Sequence, residues 1–209
     1  MTDHVKGHRG LTAERVVDAA LQAADEGGIE AVSLRRLAAA LNVTPMAIYR
    51  HVRNKSHLLD LMAERLLGQV DLTPPASATW QDGLRRVLAS FQAVAAAHPA
   101  TALLLSRPFV SPAALRVTEA LLALLRSAGF DDSQSMRLLQ VITGTVLGPA
   151  INRATWAAAS RGRRPSGASP VPPDAATQLM DWSAGPDADA LTIDLIVGGL
   201  EAIRAGMRR

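Results

Sequence analysis

The sequence predicts an all-α fold, and three observations carry that prediction. Ala, Leu and Arg dominate the 209 residues, strand-forming runs are nearly absent, and apolar residues recur at helical spacing between Gly, Pro and capping residues. Hydrophobic residues make up 48% of the chain, ample for a packed core, but aromatics only 3%, so Leu, Ala and Val must fill it. The pattern divides into about nine to ten helices.

Residues 1 to 11 read as a flexible arm bearing Lys6 and Arg9. Thr12 is placed to cap a first helix, with Glu14 near its positive end. Val16, Val17, Ala20, Leu21 and Ala24 share one face, and Gly27-Gly28 stops the helix. Ile29 and Val32 lead to Ser33, the expected cap of a second helix. There Leu34, Leu37, Ala38 and Leu41 fall at the i, i+3, i+4, i+7 positions of one face. Asn42-Val43-Thr44-Pro45 interrupts the pattern and restarts it. Asn42 tolerates the left-handed conformation that closes a helix, Thr44 caps the next, and Pro45 suits a first turn where its missing N–H costs nothing. A third helix then spans about Pro45 to His51, and Asn54 caps a fourth whose Leu58, Leu59, Met62, Leu66 and Leu67 continue a stripe to about Leu72. Two short helices joined by a tight turn, the second basic and carrying Tyr49, make a helix-turn-helix. That geometry sets a helix into a major groove.

Thr73-Pro74-Pro75-Ala76-Ser77 is the clearest composition break, so the expected domains are 1–72 and 73–209. In the second, Trp80 to Ala97 turns Leu84, Val87, Leu88, Phe91 and Val94 inward until His98-Pro99. A short apolar helix runs through Leu103 to Ser106, and Ser111-Pro112 starts another that ends at Gly129. Asp131 or Asp132 begins a long helix through Trp156. Arg161 to Asp174, rich in Pro, Gly, Ser and Arg, reads as a surface loop. A short helix around Ala175 to Trp182 precedes a last one from about Asp187 to Met207. No internal repeat is visible.

Charge distribution says more than the net of +3. Residues 12 to 30 carry Glu14, Asp18, Asp25, Glu26 and Glu30 against Arg15 alone, whereas Ser33 to His57 holds Arg35, Arg36, Arg50, Arg53 and Lys55 with no acid at all. The chain has no cysteine, which excludes disulfides, thiol nucleophiles and thiolate metal sites and suits a reducing cytoplasm. The N-terminus lacks the apolar core of a signal peptide, and the uncharged apolar run Leu138 to Asn152 is too short to cross a bilayer. His4 and His8 have metal-ligand spacing but lie in the arm, so no metal and no cofactor is expected. No phosphate loop and no Ser-His-Asp set can be picked out, so catalysis has no positive support. The competing reading is a helical enzyme or ligand carrier whose helix-turn-helix is only a packing unit. The acid-free face counts against it, because packing needs no such face.

Two helices are apolar on more than one side: Leu138 to Ile151, and the last, with Leu191, Leu195, Ile196, Leu200 and Ile203 beside Gly198-Gly199. Such helices are buried in their own chain or pair with another. Two per chain meeting across a two-fold axis make a four-helix bundle, and a recognition helix usually works as a pair on two half-sites, so a homodimer is the expectation.

Residues 12 to 72 resemble the TetR family of bacterial transcriptional regulators. The matching pieces are L-T-A-E-R-V-V-D-A-A-L, then S-L-R-R-L-A-A-A-L-N-V-T-P-M-A-I-Y-R-H-V-R-N-K, then L-L-D-L-M. The Y-x-H-V-x-N-K ending is the most specific and looks like the tetracycline-repressor branch. The helical remainder is similar to that branch's effector-binding and dimerisation domain in layout. Carried over by position, the resemblance implies that Arg35 reaches a base or phosphate. Pro45, Met46, Ala47 and Arg50 would face base edges, while Thr44, Tyr49, His51 and Lys55 would hold phosphates. Phosphate contacts fix register and base contacts specify sequence, and Arg50 is the one residue of the third helix able to grip guanine with two hydrogen bonds. Ile48 and Val52 read as core, and His57 as a helix-start surface residue. The branch can carry an aromatic or glutamine among positions where this chain has Pro45 and Arg50, so its operator does not transfer.

On the long helix Gln140, Thr143, Thr145, Asn152 and Arg153 place polar groups among apolar ones. With Phe109 and Trp156 they are candidates for an effector pocket, Gln140, Thr143, Asn152, Phe109 and Trp156 foremost. Helical Thr hydroxyls also bond back to the preceding turn, which is the bland reading. The expected function is a cytoplasmic, homodimeric repressor that binds a palindromic double-stranded DNA operator and leaves it when a small molecule occupies the second domain.

Overall fold

Capping chemistry sets the limits of most helices in the computed structural model, which describes residues 10–73, 79–105, 110–160 and 186–207. Among these residues are nine α-helices and no strand. Helix α1 (Ala13–Gly27) starts where the Thr12 hydroxyl accepts from Arg15 N at 3.3 Å. It stops at Gly28, whose φ of 82° suits glycine. One 3-10 turn (Ile29–Ala31) leads to α2 (Leu34–Ala40). Asn42 then takes φ 54°, the left-handed position expected of it. In α3 (Pro45–Tyr49) the Thr44 hydroxyl accepts from Ala47 N at 3.3 Å and proline fills the first position.

Helix α3 stops short of the expected His51. Arg50 keeps helical angles, but His51 N and Val52 N both donate to Ile48 O, at 2.9 and 3.0 Å, and this tightens the end into a turn. Asn54 caps α4 (Lys55–Leu67) by accepting from His57 N at 2.9 Å. That helix also ends early, its last backbone bonds running Gln69 N to Leu66 O and Val70 N to Leu67 O.

By its contacts the chain divides into two compact units, Met1–Met62 and Ala63–Arg209, a division that lies within α4. Val16, Ile48, Val52, Leu58 and Met62 are fully buried in the first unit. Truncating any one of them to alanine removes roughly 2–5 kcal/mol for the larger side chains, a large share of a domain's stability.

In the second unit a reciprocal Thr79–Asp82 capping box opens α5 (Trp80–Ala97). A 3-10 turn (Pro99–Thr101) and α6 (Ala102–Leu105) follow. Helix α7 (Pro112–Ser127) has three caps at its start: proline at the first position, the Ser111 hydroxyl on Ala114 N, and the Glu64 carboxylate on Ala113 N at 3.0 and 3.1 Å. Helix α8 (Asp132–Ser160) begins with Asp131 and Gln134 bonding each other's backbone. The last helix, α9 (Pro186–Gly206), packs against α5 and α8, which α7 also meets, in a bundle around Leu84, Leu88, Leu125 and Ile142. The expected arm, the 161–174 loop and the helix around residues 175–182 lie outside the described residues, apart from the last two residues of the arm.

Candidate nucleic-acid interface

The turn chemistry of Asn42 to Pro45 decides which side of α3 faces out. With Ile48 fully buried and Val52 locked beneath it, the neighbouring positions must project to solvent. Met46 is 68% exposed and Tyr49 51% exposed. Thr44, Pro45 and Arg50 are exposed as well, whereas Ala47 and His51 are half-buried. Arg35 and Arg36 are exposed on α2, and Arg53 and Lys55 on the approach to α4. Seven of the nine residues expected at a DNA surface are thus exposed, with Ala47 and His51 half-buried, and no carboxylate stands between Ser33 and His57.

One of these positions carries a structural duty as well, and so does a neighbour. The Thr44 hydroxyl is occupied as a cap, which anchors the start of α3. His57, read as a surface residue, does more: its Nδ1 accepts from Arg53 N at 3.2 Å while its own N–H donates to Asn54. That pair of bonds fixes the backbone between α3 and Lys55. The resulting surface offers guanidinium and ammonium groups for phosphate, a fork for guanine, and methyl or ring carbon for thymine methyl groups.

A second exposed surface has the opposite character. Along α8 and α9 a shallow groove is lined by Leu138, Val141, Ile142, Leu195, Gly199 and Ile203. Val141 is 63% and Leu195 65% exposed, and Leu191 and Ile203 are open too. A Cβ built at Gly144, Gly148, Gly198 or Gly199 meets nothing within 4 Å, so no contact among the described residues requires glycine there.

Of the expected pocket residues, Gln140, Thr143 and Asn152 do not line the interior. All three are exposed, and the Thr143 hydroxyl bonds back to Leu139 O and Gln140 O. The reason is the face that α8 buries: Ser135, Leu139, Ile142, Val146, Ala150 and Ala154 turn inward, which puts Gln140 and Thr143 on the other side. Phe109 and the side chain of Trp156 lie outside the described residues. Thr145 also bonds back, to Val141 O. Interior polar groups stand elsewhere. Gln92 on α5 is 3% exposed, and its side-chain nitrogen has no hydrogen-bond partner among the described residues. Sequence reasoning missed Gln92, although a polar residue between Leu88 and Ala95 on an inward-facing stripe is the signal for it. Arg153 on α8 is largely buried and pairs with Asp189 on α9 at 3.0 Å. Among the described residues no cluster of His, Asp or Glu is arranged to hold a metal, and no single helix is long and apolar enough to cross a membrane.

Comparison with known proteins agrees with both units. Residues 16–62 match the model of the bacterial regulatory proteins of the tetR family, and residues 73–179 match the tetracyclin repressor-like C-terminal domain. An HTH-type transcriptional regulator of Saccharopolyspora erythraea is 31% identical over 70% of this chain and 62% of its own length. The HTH-type transcriptional repressor DrrR1 of Streptomyces coeruleorubidus is 37% identical over 67% of this chain. That match spans 53% of DrrR1, so the chain covers less than two thirds of either relative. Among solved structures, the Streptomyces coelicolor TetR family protein ActR in complex with (S)-DNPA is 27% identical, with a TM-score of 0.71 over 92% of this chain and 98% of ActR. BioQ with its double-stranded DNA operator is 25% identical, with a TM-score of 0.63 over 84% of this chain and 99% of BioQ. A basic, acid-free helix-turn-helix ahead of a helical bundle, matched by family models in both parts, places the chain in the TetR family of transcriptional regulators.

Proposed function

We propose that the protein is a cytoplasmic homodimeric repressor that binds a palindromic operator and is released from it by a small molecule held in its second unit. One observation carries the DNA part: α3 exposes Met46, Tyr49 and Arg50 on an acid-free basic surface. Arg50 reads a guanine edge, with Pro45, Met46 and Ala47 against neighbouring bases and Arg35 at a base or phosphate. Thr44, Tyr49, His51 and Lys55 hold phosphates. BioQ, solved on its operator, supports the DNA role, and ActR, solved with (S)-DNPA, supports a ligand in the second unit.

The dimer reading rests on the open groove of α8 and α9. Large apolar side chains and unoccupied glycines on two adjacent helices suit a second copy of the same pair, meeting across a two-fold axis. Two copies set two recognition helices at a fixed spacing, and a ligand that favours another spacing lowers operator affinity by its differential affinity for the two conformations.

A gel-shift of the purified full chain on the DNA beside its own coding region tests this reading. The expected result is a salt-sensitive shift with a protein stoichiometry of two per palindrome. Absence of any shift at low salt would sink the regulator reading for this DNA-facing surface.

A further inference from the structure

Arg153 is a cation whose surroundings do not use it up. Its side chain is 13% exposed, and one nitrogen, Nη1, donates to Asp189 Oδ1 at 3.0 Å. Nε and Nη2 are sealed from solvent and have no partner among the described residues. These two nitrogens lie on the same edge of the planar guanidinium, the edge that grips both oxygens of a carboxylate or one oxygen twice. The same protein shows that edge at work: the exposed Arg86 turns Nε and Nη2 on Asp71, at 3.0 and 2.7 Å. So an exposed arginine spends its fork on a surface acid, while the buried one keeps its fork free. Burying unpaired donors is costly, and more so for a charged group, so stability alone gives no reason for this arrangement.

The neighbourhood favours a ligand with a flat apolar body. Ala95, Ala102, Ala150 and Ala154 form a buried cluster of α5, α6 and α8, with Leu105 against it. Arg153 lies one turn from Ala150 on α8, and Gln92, one of the other buried donors without a partner among the described residues, lies one turn from Ala95 on α5. Because the free nitrogens are sealed, a ligand reaches them by parting these helices, and small side chains offer the least resistance.

We infer that the Nε–Nη2 edge of Arg153 anchors a carboxylate on the effector, with the Gln92 amide donating to a second oxygen. This deepens the effector-release reading and rests on it. Asp189 positions the guanidinium by holding Nη1 and leaves the other edge for the ligand.

The test uses the full-length dimer and three probe acids: benzoate, 2-naphthoate and anthraquinone-2-carboxylate, each beside its own carboxamide. Calorimetric binding, thermal shift and operator gel-shift are read for the native protein, for Arg153→Met/Asp189→Asn and for Arg153→Lys. The double variant removes both charges together, so no orphaned charge is left to unfold it, and its melting temperature should stay near the native value. At least one acid should bind about tenfold or more tighter than its amide. That preference should vanish in the double variant and weaken in Arg153→Lys, which keeps the charge without the fork. Equal binding of acids and amides, no binding by any acid, or a preference that survives in the double variant would overturn the assignment. If amides release the operator as well as acids do, effector control stands and the anchor fails. If an acid binds as expected yet leaves the operator complex intact, the anchor stands and release by that site fails. A double variant that sediments as a monomer would show the edge serving a second copy's carboxylate and would also overturn it.

Discussion

Two surfaces of this protein expose large apolar side chains, and their surroundings separate them. On α3, Met46 and Tyr49 sit among Arg35, Arg50, Arg53 and Lys55 with no acid in the segment. On α8 and α9, Val141, Leu191, Leu195 and Ile203 sit beside one another and beside open glycines. Exposed apolar surface is costly in both places, but only the first is suited to a polyanion with a grooved, methyl-bearing face. The second has charges of both signs along it, Asp194 and Glu201 with Arg137 and Arg204, and suits a like surface. Apolar exposure marks an interface, while the charges around it name the partner.

The strongest way to break the contrast is to put a charge where none stands. Leu195→Glu places a carboxylate in the α8–α9 groove, and in a two-fold dimer it does so twice. The dimer dissociation constant should rise by roughly 100-fold or more, since an unpaired ion in an apolar interface costs several kcal/mol. Sedimentation should show monomers, and operator affinity should fall with them. A dimer of unchanged strength would mean that this groove is not the interface. The converse experiment acts on the basic surface. Arg50→Ala should cost about 1–3 kcal/mol on the cognate operator and relax preference at one base position, read on a library of single-base operator variants. Intact sequence preference would remove Arg50 from base reading.

How much of each surface was legible in the sequence follows from how local its determinants are. The limits of α1 to α4 depend largely on Thr12, Asn42, Thr44-Pro45 and Asn54, each acting within a few residues and each standing where the sequence put it, whereas Ser33 holds the cap position of α2 without a side-chain capping bond. The exposed set on α3 follows from the same turn. In α8 the logic fails, because Val141 and Leu138 on one side look as inward-facing as Leu139 and Ile142 on the other. Periodicity finds no unique inside for a helix apolar all round, so Gln140 and Thr143 were expected in a pocket and lie in solvent. The free edge of Arg153 is a longer-range fact still: it depends on where Asp189, on another helix, places its oxygen. No spacing within α8 encodes that.

Smaller changes sharpen the phosphate half of the contrast. Lys55 is exposed at the start of α4 and stands on the side of register rather than sequence reading. Lys55→Ala should weaken binding to operator and unrelated DNA alike and reduce the slope of log affinity against log salt by about one. A loss confined to the operator would move Lys55 to the base-reading group.

The least effect is expected at an ion pair that touches neither surface. Asp71 accepts from Thr73 N at 2.9 Å and from both nitrogens of the Arg86 fork, and these bonds, the backbone one foremost, lower its pKa from 3.8 to about 2. Since the folded value lies below the unfolded one, the folded state gains from the ionised carboxylate at any pH above about 4. That gain disappears as pH falls from about 4 through about 2. The pair is exposed, so the gain is modest and screened by salt. Asp71→Asn should therefore leave the neutral-pH melting temperature little changed and flatten its fall between pH about 4 and 2. Operator binding and dimerisation at neutral pH should be untouched, because a charge already paired inside its own unit advertises no partner, whereas the unpaired charges around α3 do.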